Sequence, residues 1–415
     1  MPIAGAHQVT SMLLPLAARR PSFLASFALW LVACQPLASP AGPDASPPGV
    51  DASPARADGG DAGPGGTVAD VAQYNALEQQ LSSNATTLVP SNNGPSSPSP
   101  VGSQLFYMEF PAEMPTQPTL HRYDDTAHST LDYTFGIGTT DQDTPYNWSA
   151  SATLVTTVDT TGDTPVINAY NSSDANTLVG SLTLPQPASG EIFQANAIDG
   201  SNVYYIDDSG DPVLVEWVAG ASTTTTDVLT FSNVGVDATE ALNFTVSGNQ
   251  VLLEDFMGGL WNIDIVTQKA TSIGNMTQAT GGTYDANGFL YTTGSGTSTG
   301  LYYYTFATGK TTDVAAAIVK SSYSLNATYS MIHYYSSGAA IQNGVVYYIG
   351  EANGLYSFTL STSKVTPLLL APQDDSIEYQ SPTILDDGTL IVLGVNTNDP
   401  GTNAGTLYRV ASGGS

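Results

Sequence analysis

The stretch Val-Tyr-Tyr-Ile-Gly-Glu-Ala-Asn-Gly-Leu-Tyr-Ser-Phe-Thr-Leu-Ser-Thr-Ser-Lys-Val-Thr-Pro-Leu, residues 346–368, decides the fold. It holds two short runs of β-branched, aromatic and aliphatic residues, starting at Val346 and Leu355, with polar residues and glycine between them. Such runs are typical of strands, and Gly or Asn between them supplies the backbone angles of a tight connection. Thr362-Ser363-Lys364 predicts a turn into a further strand, and Asn343-Gly344 predicts a turn from an earlier one. The stretch therefore predicts about four short antiparallel strands in succession.

The same unit recurs along the chain. A strand that ends in a polar tip starts at Leu105, Leu154, Val203, Val251, Leu290, Val346 and Leu390. The strand after it starts at Leu120, Ile167, Leu214, Leu260, Leu301, Leu355 and Leu407, so that the copies lie 41 to 54 residues apart. Turns rich in Gly with Asn or Asp precede most copies, and we interpret these residues as turn chemistry rather than as catalytic groups.

Seven units of four strands predict an all-β protein, a β-propeller with seven four-stranded blades. A β-helix would show a shorter period, and immunoglobulin-like sandwiches would show a longer one. Residues 346–368 resemble the repeats of the quinoprotein-like and WD40-like propellers, and this resemblance implies the architecture alone. The tryptophan-docking, Ser-x-Asp-x-Gly and Trp-Asp signatures of known propeller families are absent, so no catalytic residue is implied. The segment from Thr86 to Val89 could be the outer strand that closes the last blade, or the inner strand of the first.

The N-terminus carries an export signal. Arg19 and Arg20 precede a 12-residue apolar run, which is shorter than the roughly 20 residues that span a bilayer. The run ends in Leu31-Val32-Ala33-Cys34, which resembles the lipobox of bacterial lipoproteins. The resemblance implies cleavage after residue 33, lipid on Cys34 and a membrane partner for that lipid, and Gln35 favours the outer membrane. The alternatives are a plain secretory signal with a chance cysteine, or a short N-terminal anchor.

Four regions follow from these patterns. Residues 1–33 are the predicted lipoprotein signal peptide, and residues 34–66, rich in Pro, Ala, Gly and Asp, are a predicted disordered tether. Residues 67–103 are expected to hold a short helix and a linker, and residues 104–415 the propeller.

The charge balance limits the partners. The chain has 37 acidic and nine basic residues, a formal charge of −28, and loss of residues 1–33 would remove only Arg19 and Arg20. This field repels nucleic acid and anionic lipid headgroups, so that cations and basic polymers are the electrostatically favoured partners. We expect a monomer without nucleic acid.

Acidic residues recur at one position of the repeat. They follow the start of the polar-tipped strand by four or five residues and are Glu109, Asp159, Asp207, Asp255 and Glu351, with Gly294 and Asn396 in the other two copies. In a propeller these positions share one face, to which Asp208, Asp211 and Glu254 would add carboxylates. Such a face could coordinate Ca²⁺ or attract a basic partner. The alternative is that an acid-rich chain places Asp in many turns by composition alone.

A catalytic set is not evident in the sequence. His121, His128 and His333 lack the spacing and the cysteines of a zinc site, and no nucleophile elbow or phosphate loop is present. The sequence favours a lipid-anchored cell-envelope binding or scaffold module for a protein, a glycan or a cation over an enzyme. The alternatives are an exported hydrolase or lyase with an acidic face that could bind Ca²⁺, and a role in outer-membrane assembly.

Overall fold

A computed structural model gives the fold of the chain. The structure describes residues 71–90, 95–109, 119–124, 129–133, 148–159, 164–174, 177–185, 196–221, 223–238, 241–255, 259–275, 279–293, 300–321, 339–350, 354–372, 376–396 and 405–411. These residues form seven four-stranded antiparallel sheets, which confirms the predicted seven-bladed propeller. Residues 1–33, predicted as a signal peptide, and residues 34–66 with Cys34 lie outside the described residues.

Six blades are built from consecutive strands. Blade 1 contains β2 (Pro95–Val101), β3 (Gln104–Glu109), β4 (Thr119–Asp124) and β5 (Ser129–Tyr133). Blade 2 contains β6 (Trp148–Ala150), β7 (Leu154–Asp159), β8 (Val166–Asn171) and β9 (Leu178–Thr183). Blade 3 contains β10 (Asn196–Asp199), β11 (Asn202–Asp207), β12 (Val213–Val218) and β13 (Thr225–Thr230).

Blade 4 contains β14 (Ala241–Ser247), β15 (Gln250–Asp255), β16 (Gly259–Asp264) and β17 (Lys269–Asn275). Blade 5 contains β18 (Ala279–Asp285), β19 (Gly288–Thr293), β20 (Gly300–Thr305) and β21 (Lys310–Asp313). Blade 6 contains β22 (Ala339–Gln342), β23 (Val345–Ile349), β24 (Leu355–Thr359) and β25 (Lys364–Leu369).

The seventh blade joins the two ends of the chain. It contains β26 (Ile377–Ile384), β27 (Leu390–Asn396) and β28 (Gly405–Val410), with β1 (Ala85–Pro90) paired antiparallel to β28 as its outer strand. The first alternative for residues 86–89, the closing strand, is therefore the one observed. Because β1 belongs to blade 7 and β2 is the inner strand of blade 1, the strands of the ring begin before the predicted boundary at residue 104.

Turns between the inner and second strands link neighbouring blades at one edge of the ring, which we call the turn edge. Gly200, Gly248 and Gly344 have φ of 63°, 56° and 75° there, which glycine adopts without steric cost. Across blade boundaries, the Asp199 carboxylate accepts the Gly248 N–H at 2.8 Å, and the Asp285 carboxylate accepts the Gly344 N–H at 3.3 Å. The Asp-Gly and Asn-Gly pairs thus have the structural role that the sequence predicts.

The core lies between the blades rather than inside them. Phe106, Met108 and Tyr133 of blade 1 pack against Trp148 and Val155 of blade 2. On the other face of the same blade, Tyr107 and Tyr123 pack against Leu393 and Leu407 of blade 7. Each blade therefore buries both faces, as alternating side chains in a strand allow.

Two helices lie beside the ring. Helix α1 (Val71–Ser82), within the helix predicted over residues 67–82, packs Tyr74 and Leu81 into the core shared by blades 5 and 6. The Tyr74 hydroxyl donates a hydrogen bond to the Ala371 carbonyl at 2.7 Å. Helix α2 (Val314–Lys320) begins at Asp313, whose carboxylate accepts the Ala316 N–H, and buries Val314 and Ile318 in the same core. In the part of the chain that the structure describes, neither helix is long and apolar enough to cross a membrane.

Candidate functional site

Four of the predicted carboxylates occupy equivalent positions. Glu109, Asp159, Asp207 and Asp255 are the last residues of β3, β7, β11 and β15, the second strands of blades 1 to 4. In an antiparallel four-stranded blade these ends lie opposite the turns between the inner and second strands. The four residues therefore belong to the edge opposite the turn edge, which we call the carboxylate edge. Glu351, the fifth candidate, lies outside the described residues.

The three acids in the hairpin of blade 3 have different surroundings. The Asp207 carboxylate accepts the Ser209 N–H at 3.0 Å, and the Asp211 carboxylate accepts the Ser232 hydroxyl at 2.6 Å. Asp208 is only 8% exposed, and its Oδ2 has no hydrogen-bond partner among the described residues. Burial raises the pKa of Asp208, its own backbone N–H lowers it, and the charge of Asp207 raises it again.

The four predicted carboxylates of this edge belong to four separate blades. Among the described residues, no three His, Cys, Asp or Glu side chains lie close enough together to hold a metal ion. Glu254, which the sequence adds to the same face, is buried. The described part of the edge is thus a row of separate negative charges around the ring.

Blade 1 carries a cluster that the sequence does not reveal. Tyr107 of β3 lies opposite His121 of β4, and His121 lies opposite Asp132 of β5. The His121 Nδ1 lies 2.8 Å from a carboxylate oxygen of Asp132, and its Nε2 lies 3.5 Å from one of Glu109. The imidazole ring stacks on Tyr107 with centroids 5.0 Å apart. One buried histidine therefore lies between two carboxylates and is hydrogen-bonded to Asp132, whereas its Nε2 has no hydrogen-bond partner among the described residues.

Exposure differs across this cluster. The His121 side chain is 11% exposed and the Glu109 side chain 20%, whereas the Asp132 side chain is 63% exposed. Burial raises the pKa of Tyr107 well above its usual range, and the charge of Glu109 raises it further, so that the phenol stays protonated. Neutral Tyr107 thus acts as a packing surface for the imidazole. Chemically, the cluster can pass a proton between His121 and a carboxylate.

The sequence does not indicate Asp132 as a site residue, because its contact with His121 depends on strand pairing. His121 lies within β4, and Asp132 follows it by 11 positions. No known motif has this spacing. The usable signal would have been the pairing of β4 with β5, which places His121 and Asp132 side by side. His128 and His333 lie outside the described residues.

No model of a known protein family matches the sequence, and no curated protein is similar to it. Solved structures are similar in fold. An oligogalacturonate lyase from Vibrio parahaemolyticus has a TM-score of 0.48 and 10% identity, over 78% of this chain and 92% of that one. The β-propeller domain of the Trilobed protease from Pyrococcus furiosus has a TM-score of 0.47 and 9% identity, over 77% and 95%. BamB from Moraxella catarrhalis has a TM-score of 0.39 and 11% identity, over 76% and 81%. At these identities the likeness concerns the propeller fold alone.

Proposed function

We propose that this protein is a lipid-anchored binding module of the bacterial cell envelope, which takes a positively charged partner on its carboxylate edge. One observation carries the proposal. The second strand ends in a carboxylate in four consecutive blades, at Glu109, Asp159, Asp207 and Asp255. A row of like charges along one edge of a rigid ring attracts an extended basic segment, because each carboxylate can meet a separate cation.

The whole molecule supports the same partner. The formal charge of −28 creates a long-range field that draws basic proteins or cations toward the ring and repels nucleic acid. Ca²⁺ belongs to the same proposal as a small cation that oxygen ligands would accept. Because no three such side chains among the described residues lie close enough to share one ion, Ca²⁺ would meet single carboxylates of the row, which Glu351 would complete.

The location rests on the N-terminal sequence. Leu31-Val32-Ala33-Cys34 resembles a lipobox, and Cys34 is the single cysteine of the chain. Acyl chains on this residue add about 0.8 kcal/mol for each buried CH₂ group, so that several chains hold the protein at a membrane. The Pro-, Ala- and Gly-rich residues 34–66 would then connect the lipid to α1.

The anchor is tested with the Cys34→Ser variant. We expect the wild-type chain to incorporate labelled fatty acid and to fractionate with membranes, and the variant to do neither. A wild-type chain that is exported without fatty acid would contradict the lipid anchor while leaving the binding proposal in place.

The binding edge is tested by isothermal titration of residues 35–415 with a lysine decapeptide and, separately, with Ca²⁺. We expect the Asp159→Asn/Asp207→Asn pair to weaken peptide binding about 30-fold, at about 1 kcal/mol for each charge. The matched control is Asp174→Asn/Asp227→Asn, which removes two exposed acids from other positions. Equal losses in both pairs would show general charge attraction and would contradict a binding edge.

One observation favours a second function, an exported hydrolase or lyase. His121 lies between Asp132 and Glu109, an arrangement that suits general acid–base chemistry. An enzyme of this kind would release new chain ends from envelope or extracellular glycans, and His121→Gln would abolish the release. The Asp174→Asn variant is the control, since Asp174 is an exposed acid on another blade and outside the carboxylate edge. A wild-type chain inactive on anionic, neutral and basic glycans would exclude this function.

A further inference from the structure

Three turns of the ring share one sequence pattern and one conformation. They connect the third and fourth strands of blades 4, 5 and 6 and end in Lys269, Lys310 and Lys364, the first residues of β17, β21 and β25. The residue before each lysine has a positive φ: 52° at Gln268, 62° at Gly309 and 53° at Ser363. We call these three turns, residues 265–269, 306–310 and 360–364, the basic rim.

The lysines of the basic rim are available to a partner. All three are exposed, and none forms an ion pair with another residue that the structure describes. Val266, in the first of the turns, is 67% exposed. Lys269 lies opposite Asp264, but the Asp264 carboxylate is already engaged by the N–H groups of Thr267 and Val266 at 2.9 Å and 3.0 Å.

The basic rim holds most of the lysine of the protein. Of the four lysines in the sequence, only Lys320 lies outside it, at the end of α2. The corresponding turn of blade 2 carries Asp174 instead, and that of blade 3 carries no charged residue between 219 and 224. Asp264 and Asp285 lie at the same edge, so that the three lysines give the turn edge of blades 4 to 6 a small excess of positive charge, which favours an anionic partner there.

The N-terminal segment joins the ring at blade 6, which contributes one of the three turns of the basic rim. Helix α1 packs against β25, the strand that begins with Lys364. Just after the helix, the Asn84 side-chain amide donates to the Leu368 carbonyl at 3.1 Å. The chain that leads back to Cys34 therefore leaves from the blade that contributes one third of the basic rim.

We propose that the basic rim docks on the anionic headgroups of the membrane that holds the Cys34 lipid, an inference that rests on the proposed anchor. Lysines near an anionic surface bind by electrostatic attraction, and exposed apolar residues such as Val266 enter the interface. The net negative charge of the ring does not prevent this contact. Charges farther away than about 8 Å are largely screened at physiological ionic strength, so that the nearest lysines decide the local attraction.

The two contacts with the membrane would then have different roles. The lipid keeps the protein at the surface, whereas the basic rim sets the orientation of the ring. Because the turns of the basic rim belong to the turn edge, the carboxylate edge is directed away from the membrane. A basic partner can then reach Glu109, Asp159, Asp207 and Asp255 from the outside.

The test uses residues 35–415, which keep α1 and all seven sheets but lack the lipid. Binding is measured by cosedimentation with vesicles of phosphatidylcholine, with and without phosphatidylglycerol. We expect binding only to the anionic vesicles, a loss of about fivefold for each rim lysine changed to Gln and about 100-fold for K269Q/K310Q/K364Q. Val266→Ser should weaken binding severalfold as well.

Lys320→Gln is the matched control, because it removes the same charge from an exposed position outside the basic rim. It should bind within twofold of the wild-type chain, and all variants should keep the wild-type melting temperature. No binding by the wild-type chain, equal binding to neutral vesicles, or an equal loss in Lys320→Gln would overturn the proposal. None of these results affects the fatty-acid measurement at Cys34, so the failure of the rim and the failure of the anchor can be told apart.

Discussion

Aspartates lie at both edges of the ring, but their surroundings differ. At the turn edge, Asp285 accepts the N–H groups of Asn287, Gly288 and Gly344 and the hydroxyl of Tyr303. At the carboxylate edge, Asp207 accepts only the Ser209 N–H in the contacts described, and Oδ2 of Asp208 accepts none. The same residue type therefore fastens blades together at one edge and presents charge at the other. Position within the hairpin, rather than residue type, separates structural from available carboxylates.

The largest expected effect is at Asp285. The Asp285→Ala change removes four accepted hydrogen bonds and leaves the buried Tyr303 hydroxyl without its partner, which lies 2.8 Å away. Because an unpaired buried donor costs about 1–3 kcal/mol and bonds to a charged acceptor add to this, we expect the free energy of unfolding to fall by about 3 kcal/mol. Urea unfolding measures it. Asp207→Ala is the control and should change the value by less than about 0.5 kcal/mol. Equal losses at the two positions would remove the distinction between the edges.

Almost the whole fold can be predicted from the sequence, because the strands of one blade are close together along the chain. Strands, turn glycines and the spacing of the copies all lie within about 50 residues, which is the range over which turn chemistry and alternation act. The pairing of β1 with β28 joins residues more than 300 positions apart. Residues 86–89 have the composition of a strand, but the sequence gives no sign of the neighbour to which they bind.

The sites are less predictable for the same reason. The Asp285-Ala286-Asn287-Gly288 run predicts a turn, yet the bond from Asp285 to Gly344 needs the next blade in place. Asp208 sits in a run of polar residues that predicts an exposed loop, whereas the structure buries it. His121 and Asp132 meet only through the register of β4 with β5. Contacts between blades and across strands decide these three environments, and no local pattern records them.

The second prediction concerns the pH dependence that buried Asp208 gives to stability. Burial raises its pKa in the folded chain, so that the folded state holds this proton more tightly than the unfolded chain does. The contribution to stability is complete below the unfolded pKa of about 3.9 and is lost as pH rises through the folded pKa. Asp208→Asn removes this loss, so that the stability of the variant relative to the wild-type chain should rise between pH 4 and pH 7.

Urea unfolding at the two pH values measures this gain, with Asp207→Asn as the control from the same hairpin. If Asp208→Asn shifts stability equally at both pH values, burial does not raise the pKa of Asp208 in the folded chain above its value in the unfolded chain. Asp208 would then belong with the available carboxylates of its edge, and the comparison of the two edges would become simpler.

The smallest expected effect is at the His121–Asp132 pair of blade 1. Its contribution to stability can be compared with that of Asp285 at the turn edge. Although the Nδ1-to-carboxylate distance is 2.8 Å, Asp132 is 63% exposed, and water weakens the attraction. A double-mutant cycle with His121→Gln and Asp132→Asn, measured by urea unfolding at neutral pH, should give a coupling of about 0.5 kcal/mol. A coupling above about 2 kcal/mol would show that the His121–Asp132 pair stabilises blade 1, as the Asp285 hydrogen bonds stabilise the turn edge. The weak coupling that we expect would instead leave Asp132 and Glu109 to orient the imidazole, and with it any chemistry that His121 performs.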